Sequence, residues 1–176
     1  GGDVTGGKVL HGSYNGVQVL RYVGDIRYTL SLSLDSYIKG LLSSSKLAGF
    51  VADLTATDAI DSTNLGILAR LARSMQRNRL PKVTLISNRP AINEVLEGMG
   101  FDRVFCIVSE SEAELEKLKE VPVTLSDDGA MIRLLLESHL ALMELNEHNR
   151  EMFRDVIEAV EQELGQDREE AGESQP

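Results

Sequence analysis

Residues 50–71, FVADLTATDAIDSTNLGILARL, begin as an apolar run, end as an amphipathic segment, and crowd Asp53, Thr55, Thr57, Asp58, Asp61, Ser62 and Thr63 into the junction. Small oxygen-bearing side chains at a strand-to-helix turn can do four kinds of chemistry. Asp61 or Ser62 can cap the helix by accepting a hydrogen bond from its first amides. Asp53, at the end of an apolar strand, can accept a phosphoryl group as a receiver aspartate does. Ser62 can act as a nucleophile if a histidine base lies in reach. Ser62 can also accept a phosphate that the free amides of a helix start would favour.

The rest of the sequence weighs on these options. A receiver also needs an acidic pair after the first strand and a lysine after the last, and neither KVLHGSY nor VFCIVSE supplies them. His11 precedes a turn and His139 and His148 lie far along the chain, so no triad can be assembled. G-x-S-x-G, P-loop and G-x-G-x-x-G patterns are missing. One cysteine, Cys106 in VFCIV, reads as a small buried hydrophobe and offers neither a disulfide nor a thiolate site. No metal and no cofactor are expected, and a switchable binding module outranks an enzyme.

The elements that must position the junction follow from periodicity. KVLHGSYNGVQVLRYVG reads as a hairpin turning at Asn15-Gly16. LSLDSYIKGLLSS has helical spacing, GFVADL is a buried strand, and Leu65, Leu68, Leu71, Ala72 and Met75 give the next helix its apolar face. Arg70, Arg73 and Arg77 fall on another face of that helix. They read first as a solvated surface; the sharper reading makes them partner-binding residues that meet acidic groups. KVTLIS is a strand, PAINEVLEGMG a helix with Pro90 in its first turn and Gly100 as C-cap, and RVFCIV a further strand. The order β-β-α-β-α-β-α-β predicts an α/β fold, a mixed sheet covered by helices.

Residues 8–121 complete that domain, and 122–164 are expected to form a long C-terminal helical extension. Its seam places Ile132, His139, Asn146, Phe153 and Val160 at one heptad position and Leu135, Leu142, Asn149 and Val156 at another. Such a seam can dock on the domain, with Met131 to Leu145 the better half, or pair with a second copy as a homodimer. Residues 1–7, GGDVTGG, read as a tag remnant or disordered end, and 165–176 as a disordered acidic tail. Residues 1–108 hold 12 Lys and Arg against 9 Asp and Glu, a net of +3, whereas 109–176 hold 6 against 19, a net of −13. That balance argues against nucleic acid, whose binding needs a basic surface. No apolar run approaches the roughly 18 to 20 residues of a membrane crossing, so the expected setting is cytoplasmic, without membrane contact.

The junction carries a family resemblance. Asp53-Leu54 followed by Ile60-Asp61-Ser62-Thr63-Asn64-Leu65-Gly66 resembles the signature of STAS domains of the anti-sigma-factor-antagonist type, and VGDIRYTLS resembles the family's segment after the second strand, with Asp25 its acidic residue. The resemblance covers roughly residues 8 to 120. It departs at Asn64, where the family has glycine, and asparagine is expected to keep the turn because it tolerates left-handed geometry. It implies a phosphoserine switch. Ser62 is the expected phosphorylation site, with Asp25, Asp53, Thr57, Asp58, Asp61, Thr63, Asn64 and Gly66 as support for the switch loop. The unmodified form would sequester an anti-sigma factor. A serine kinase and a PP2C-type phosphatase would set the state, and the phosphorylated form would turn to another signalling protein. The added tail resembles that of HsbA-type regulators of biofilm and motility. The competing expectation is a STAS scaffold that binds through its tail and is never phosphorylated.

Overall fold

The computed structural model describes residues 6–111, 117–124 and 127–173, with side chains described as far as residue 165. The chain opens with β1 (Lys8–Tyr14) and β2 (Val17–Ile26), antiparallel strands turning through Asn15 and Gly16 at φ 49° and 82°. A 3-10 turn leads into α1 (Ser31–Leu42), then β3 (Gly49–Asp53), β4 (Thr57–Ile60) and α2 (Ser62–Arg77). β5 (Thr84–Ile86), α3 (Pro90–Gly98), β6 (Cys106–Val108), β7 (Lys119–Glu120), α4 (Asp128–Met143) and α5 (Glu147–Glu173) follow.

The strands run β6-β5-β3-β2-β1-β7 across one mixed sheet, and β4 pairs with the far end of β2. β2 is the hinge of this order. Its first half is parallel to β3, Val17 to Gly49 through Arg21 to Asp53. Its last residues are parallel to β4 after a register shift between Gly24 and Asp25. Gly24 allows the shift: its φ of 83° suits glycine, and its amide donates to the Ala56 carbonyl. Alternation along β2 drives Leu20, Tyr22 and Ile26 inward, all fully buried, against Leu65, Leu68, Leu71 and Met75 of α2.

The mixed sheet under helices matches the expected class, and particular elements differ. The expected order lacked β4, a short polar run whose pairing with β2 is nonlocal, and β7, two residues that close the edge on β1. Cys106 is exposed rather than buried. β6 is an edge strand, and the apolar character of the VFCIV run is spent instead on buried Phe105, which stacks on Phe101 at 4.7 Å. Within the leading GGDVTGG, residues 1–5 lie outside the described residues, while Gly7 sits against the Asp25 backbone, where a Cβ would overlap it.

The tail stretch is two helices rather than one. It breaks at Glu144 to Asn146, and the Asn149 amide donates to the Asn146 side-chain oxygen Oδ1 at 2.7 Å. Asn149, fully buried, also donates to the carbonyls of Met99 and Leu142. The polar interruption of the seam is therefore a helix start that ties the tail to the α3 end. α5 packs on α4 through Phe153 and continues through residues 165–173, where helix-favouring Glu, Gln, Arg and Ala outweigh the acidic, apolar-poor composition that predicts a disordered tail.

α4 in turn lies on α2. Leu134, Ala141 and Leu142 join the central core, and the crossing is close: a Cβ on Gly66 would overlap the backbone carbonyl of Ser138. Gly66→Ala tests this packing by sign. In a free helix face alanine would stabilise by up to about 1 kcal/mol. Against an immovable backbone it should cost about 1–3 kcal/mol, and a thermal midpoint lower by several degrees, at roughly 2–4 °C per kcal/mol for a chain of this size, is the expected outcome. A raised midpoint would show that α4 does not press on Gly66.

Candidate functional site

The junction between β4 and α2 forms where β4 ends at Ile60 and the Asp61 amide donates to the Ile26 carbonyl at 3.0 Å, fastening the turn to β2. Asp61 is the N-cap of α2, in extended geometry with φ −80° and ψ 168°. One of its oxygens, Oδ1, accepts from the Asn64 amide at 3.0 Å and from Asn64 Nδ2 at 2.9 Å. Asn64 is fully buried within α2. The expected left-handed conformation there is not adopted, since Asn15 and Arg79 are the positive-φ residues other than glycine. Asparagine keeps the turn instead by reaching back to the capping carboxylate.

The other oxygen-bearing residues of the cluster each satisfy a neighbour. Asp53, buried at the end of β3, pairs with its cross-strand partner Arg21 at 3.0 Å through Oδ2, while Oδ1 accepts from the amide and hydroxyl of Thr55 at 2.9 and 2.7 Å. With both oxygens engaged, Asp53 closes the β3–β4 turn rather than facing a phosphoryl donor. The hydroxyl of fully buried Thr57 donates to the Tyr22 carbonyl at 2.8 Å. Asp58 pairs with Arg89 at 2.6 Å, and Arg89 also donates to the Thr57 carbonyl at 2.9 Å. Arg89, at the start of α3, was not among the expected site residues because nothing in its local pattern marks a contact 31 residues back. Asp25 pairs with Arg27 at 2.7 Å on an exposed rim, and Thr63 is buried in the first turn of α2.

Ser62 differs from all of these. It occupies the first position of α2, half-buried, and its hydroxyl leaves its own helix to meet Nε2 of His139 on α4 at 2.8 Å. The tautomer follows from the other nitrogen: Nδ1 lies 2.7 Å from the Leu135 carbonyl, which can only accept, so Nδ1 carries the proton and Nε2 accepts from Ser62. His139 is 3% exposed and stands edge-on to Phe153 at 5.0 Å. A histidine does reach Ser62, against expectation, because the helix crossing at Gly66 brings together residues 77 apart in sequence. The pair can exchange a proton, but the group orienting the imidazole is a peptide carbonyl rather than a carboxylate, so an imidazolium gains little support. It serves better as a latch between helices.

The arginines of α2 are also partly claimed. Arg70 pairs with Asp35 of α1 and Glu137 of α4, each at 3.2 Å, and Arg73 with Glu144 of α4 at 2.8 Å, whereas Arg77 is exposed. The solvated-face reading fails for the first two. Acidic groups do meet them, and those groups belong to the chain's own tail. Among the described residues no group of three or more His, Cys, Asp or Glu side chains is placed to hold a metal ion, and no helix is long and apolar enough to cross a membrane.

Burial pushes the His139 imidazole below its ordinary value, outweighing the Leu135 carbonyl and the Asp61 charge, which pull upward. A depressed folded-state value stabilises the fold fully above the unfolded value of about 6.5, and this contribution is lost as pH falls through the folded value. The stability difference between the wild type and His139→Gln should therefore shrink from pH 7.5 to pH 5, measured as denaturation midpoints. His11 and His148 are common to both proteins and cancel. A pH-independent difference would show that His139 does not titrate with folding.

Comparison with known proteins agrees with this geometry. The STAS domain family model matches residues 12–115, more than half of the chain. No curated protein matches the sequence. Among solved structures, the fold is similar to that of the anti-sigma factor antagonist SpoIIAA in its unphosphorylated form, at 13% identity, with 60% of this chain and 90% of that chain covered and a TM-score of 0.51. An anti-sigma factor antagonist from Mycobacterium paratuberculosis is 23% identical over 59% of this chain and 86% of its own, with a TM-score of 0.49. The family match begins within β1, runs through β6 and includes the Asp61-capped start of α2, and the chain belongs to the STAS domain family.

Proposed function

We propose that this chain is an anti-sigma factor antagonist that works by partner switching, with Ser62 as its phosphorylated residue. The observation that carries the reading is that Ser62 alone among its cluster takes no part in holding the turn. Asp53, Thr57, Asp58 and Asp61 are consumed in that task, whereas the Ser62 hydroxyl, at the first position of α2, leaves its own helix for Nε2 of His139. In the unphosphorylated state the neutral hydroxyl and the adjoining α2 face bind an anti-sigma factor. A serine kinase adds a phosphate carrying about −1.5 to −2 charge next to Asp61, and a surface matched to a hydroxyl then meets repulsion and an unsatisfied desolvation cost. The phosphorylated form turns to a different signalling partner, and a PP2C-type phosphatase restores the first state. Similarity in fold to SpoIIAA, an anti-sigma factor antagonist solved in an unphosphorylated form, supports the reading, as does the resemblance of the Asp61–Gly66 segment to that class. An output in biofilm or motility control follows from the HsbA-type resemblance of the tail.

The experiment is the intact mass of the protein isolated from its native cell, with and without phosphatase treatment. A phosphatase-sensitive mass increase that maps to Ser62 and is lost in Ser62→Ala is expected. Phosphate mapped to Thr57 or Thr63, or a Ser62 unmodified under every growth condition, would overturn the assignment. The second result would favour a STAS scaffold acting through its tail. Ser62→Asp should reproduce only part of the effect of phosphate on anti-sigma factor binding, because one carboxylate offers less charge and fewer acceptor oxygens. The measurement is the dissociation constant of the variant beside that of the phosphorylated protein.

A further inference from the structure

The contact between α2 and α4 combines apolar residues that join the core with a polar stripe of the kind found at interfaces between molecules. Its contact stripe on α2 is Ser62, Gly66, Ala69 and Arg73, spaced 4, 3 and 4 residues apart so that all four share one face. α4 meets it with His139 on Ser62, Ser138 on Gly66 and Glu144 on Arg73, while Glu137 reaches Arg70 at the flank. Small residues meet at the centre and charged pairs stand at the rim, the pattern of an association surface.

Three further observations bear on this contact. First, its two helices bury several polar side chains: Thr63, Asn64, Ser138 and His139 are each at most 4% exposed. Second, polar atoms there go unpaired. Asn64 Oδ1 on α2 and Ser138 Oγ on α4 are buried without a hydrogen-bond partner among the described residues, as are Tyr22 Oη, Ser87 Oγ and Asn149 Oδ1 elsewhere, and each such atom carries a cost that a new partner could relieve. Third, the helices part at their far end around a cleft of about 500 Å³, walled by Ala69, Ala72 and Ala141 and rimmed by Arg79, Lys82 and Arg103. The rim adds positive charge beyond the two arginines that α4 already engages.

We propose that this face of α2 is a docking surface for an acidic amphipathic helix of the binding partner, and that α4 occupies it within the chain as a displaceable competitor. The proposal rests on the reading of the α2 start as the partner-binding site. Charge complementarity identifies the occupant. Residues 127–146 hold four acidic side chains against one basic, and the two that pair with α2, Glu137 on α4 and Glu144 at its C-cap, are seven residues apart. A partner helix that replaces α4 needs acidic residues at that spacing, a small residue beside the first to pass Gly66, and a hydrogen-bond acceptor for Ser62. Until it binds, α4 covers the stripe and the Ser62 hydroxyl is engaged.

Two measurements on the full chain test this. In native-state hydrogen exchange, amides of residues 131–143 should exchange at least about tenfold faster than those of Leu20 to Tyr22 and Phe50 to Ala52, as expected for a unit that opens locally. Glu137→Arg with Glu144→Arg should accelerate the α4 amides further and leave the strand amides unchanged. In the second measurement a fluorescently labelled synthetic peptide of residues 127–146 is titrated against each protein. Saturable binding to the double variant, at least about tenfold tighter than to the wild type, is expected, because repulsion from Arg70 and Arg73 weakens the internal competitor. Exchange of α4 at the strand rate would overturn the proposal, since α4 would then open only with the whole fold. So would a peptide that binds both proteins equally or neither. Neither measurement uses the kinase, the phosphatase or the partner, so the docking surface can fail while Ser62 phosphorylation stands, and the reverse.

Discussion

The absence of one side chain sets the geometry of the α2 surface. Gly66 lets the Ser138 carbonyl rest against the α2 backbone, and any Cβ there would overlap it. From that point the remaining contacts follow by helical arithmetic. Ser62 is one turn earlier on α2 and His139 one residue later on α4, so a close crossing at Gly66 brings hydroxyl and imidazole to 2.8 Å. Seven residues past Gly66, Arg73 meets Glu144, six past Ser138. A crossing held farther apart by a methyl group would lose the hydrogen bond first, because such bonds weaken steeply with distance while long, flexible ion pairs adjust. The small residue thus decides whether the tail contacts Ser62 at all.

Beneath this contact, the crowding of oxygen atoms around the turn has a structural cause. β4 departs from β3 after only three intervening residues and pairs with β2 beyond a register shift, which interrupts the regular ladder. Backbone groups left over at such a junction must find partners. Thr57 supplies a hydroxyl to the Tyr22 carbonyl, Arg89 serves the Thr57 carbonyl, and Asp53 and Asp61 accept the amides of Thr55 and Asn64. A rigid frame results, and Ser62 stands at its edge. Rigidity at this place matters to a switch, since added charge then acts on the contacting surface instead of being absorbed by a yielding loop.

Much of the frame was legible in the sequence because it is encoded locally. Asn15-Gly16 announces the hairpin, the Leu65 to Met75 periodicity announces α2, and Asp61 before Ser62 announces a cap. What escaped was nonlocal. β4 is four residues of which two are exposed, and only its pairing with β2 makes it a strand. The VFCIV run carries no sign that β6 lies at an edge, so Cys106 reads as buried although it is exposed. Periodicity puts His139 on the inner face of its helix, but no property of residues 131–143 states where on α2 that helix crosses. The glycine held the missing signal. A helix-disfavouring residue in the middle of α2 costs stability unless something approaches its backbone, and the acidic helix that does so was present in the tail.

The separation of charge along the chain acquires a physical meaning in this arrangement. Exposed charges interact over about 8 Å at physiological ionic strength, so a net of +3 in one segment and −13 in the other has effect only where the segments touch. They touch along α2, where Arg70 and Arg73 receive Glu137 and Glu144. A phosphate on Ser62 would enter the same stripe with a negative charge of its own, in place of the proton that Nε2 now accepts. Any acidic helix lying there, whether α4 or a partner's, would lose a hydrogen bond and gain a like charge in one step. On the proposed reading, phosphorylation and acidic-helix docking would for that reason be mutually exclusive uses of the face. With the hydroxyl unmodified, that reading would leave the relative affinities of α4 and a partner helix to decide which one is bound.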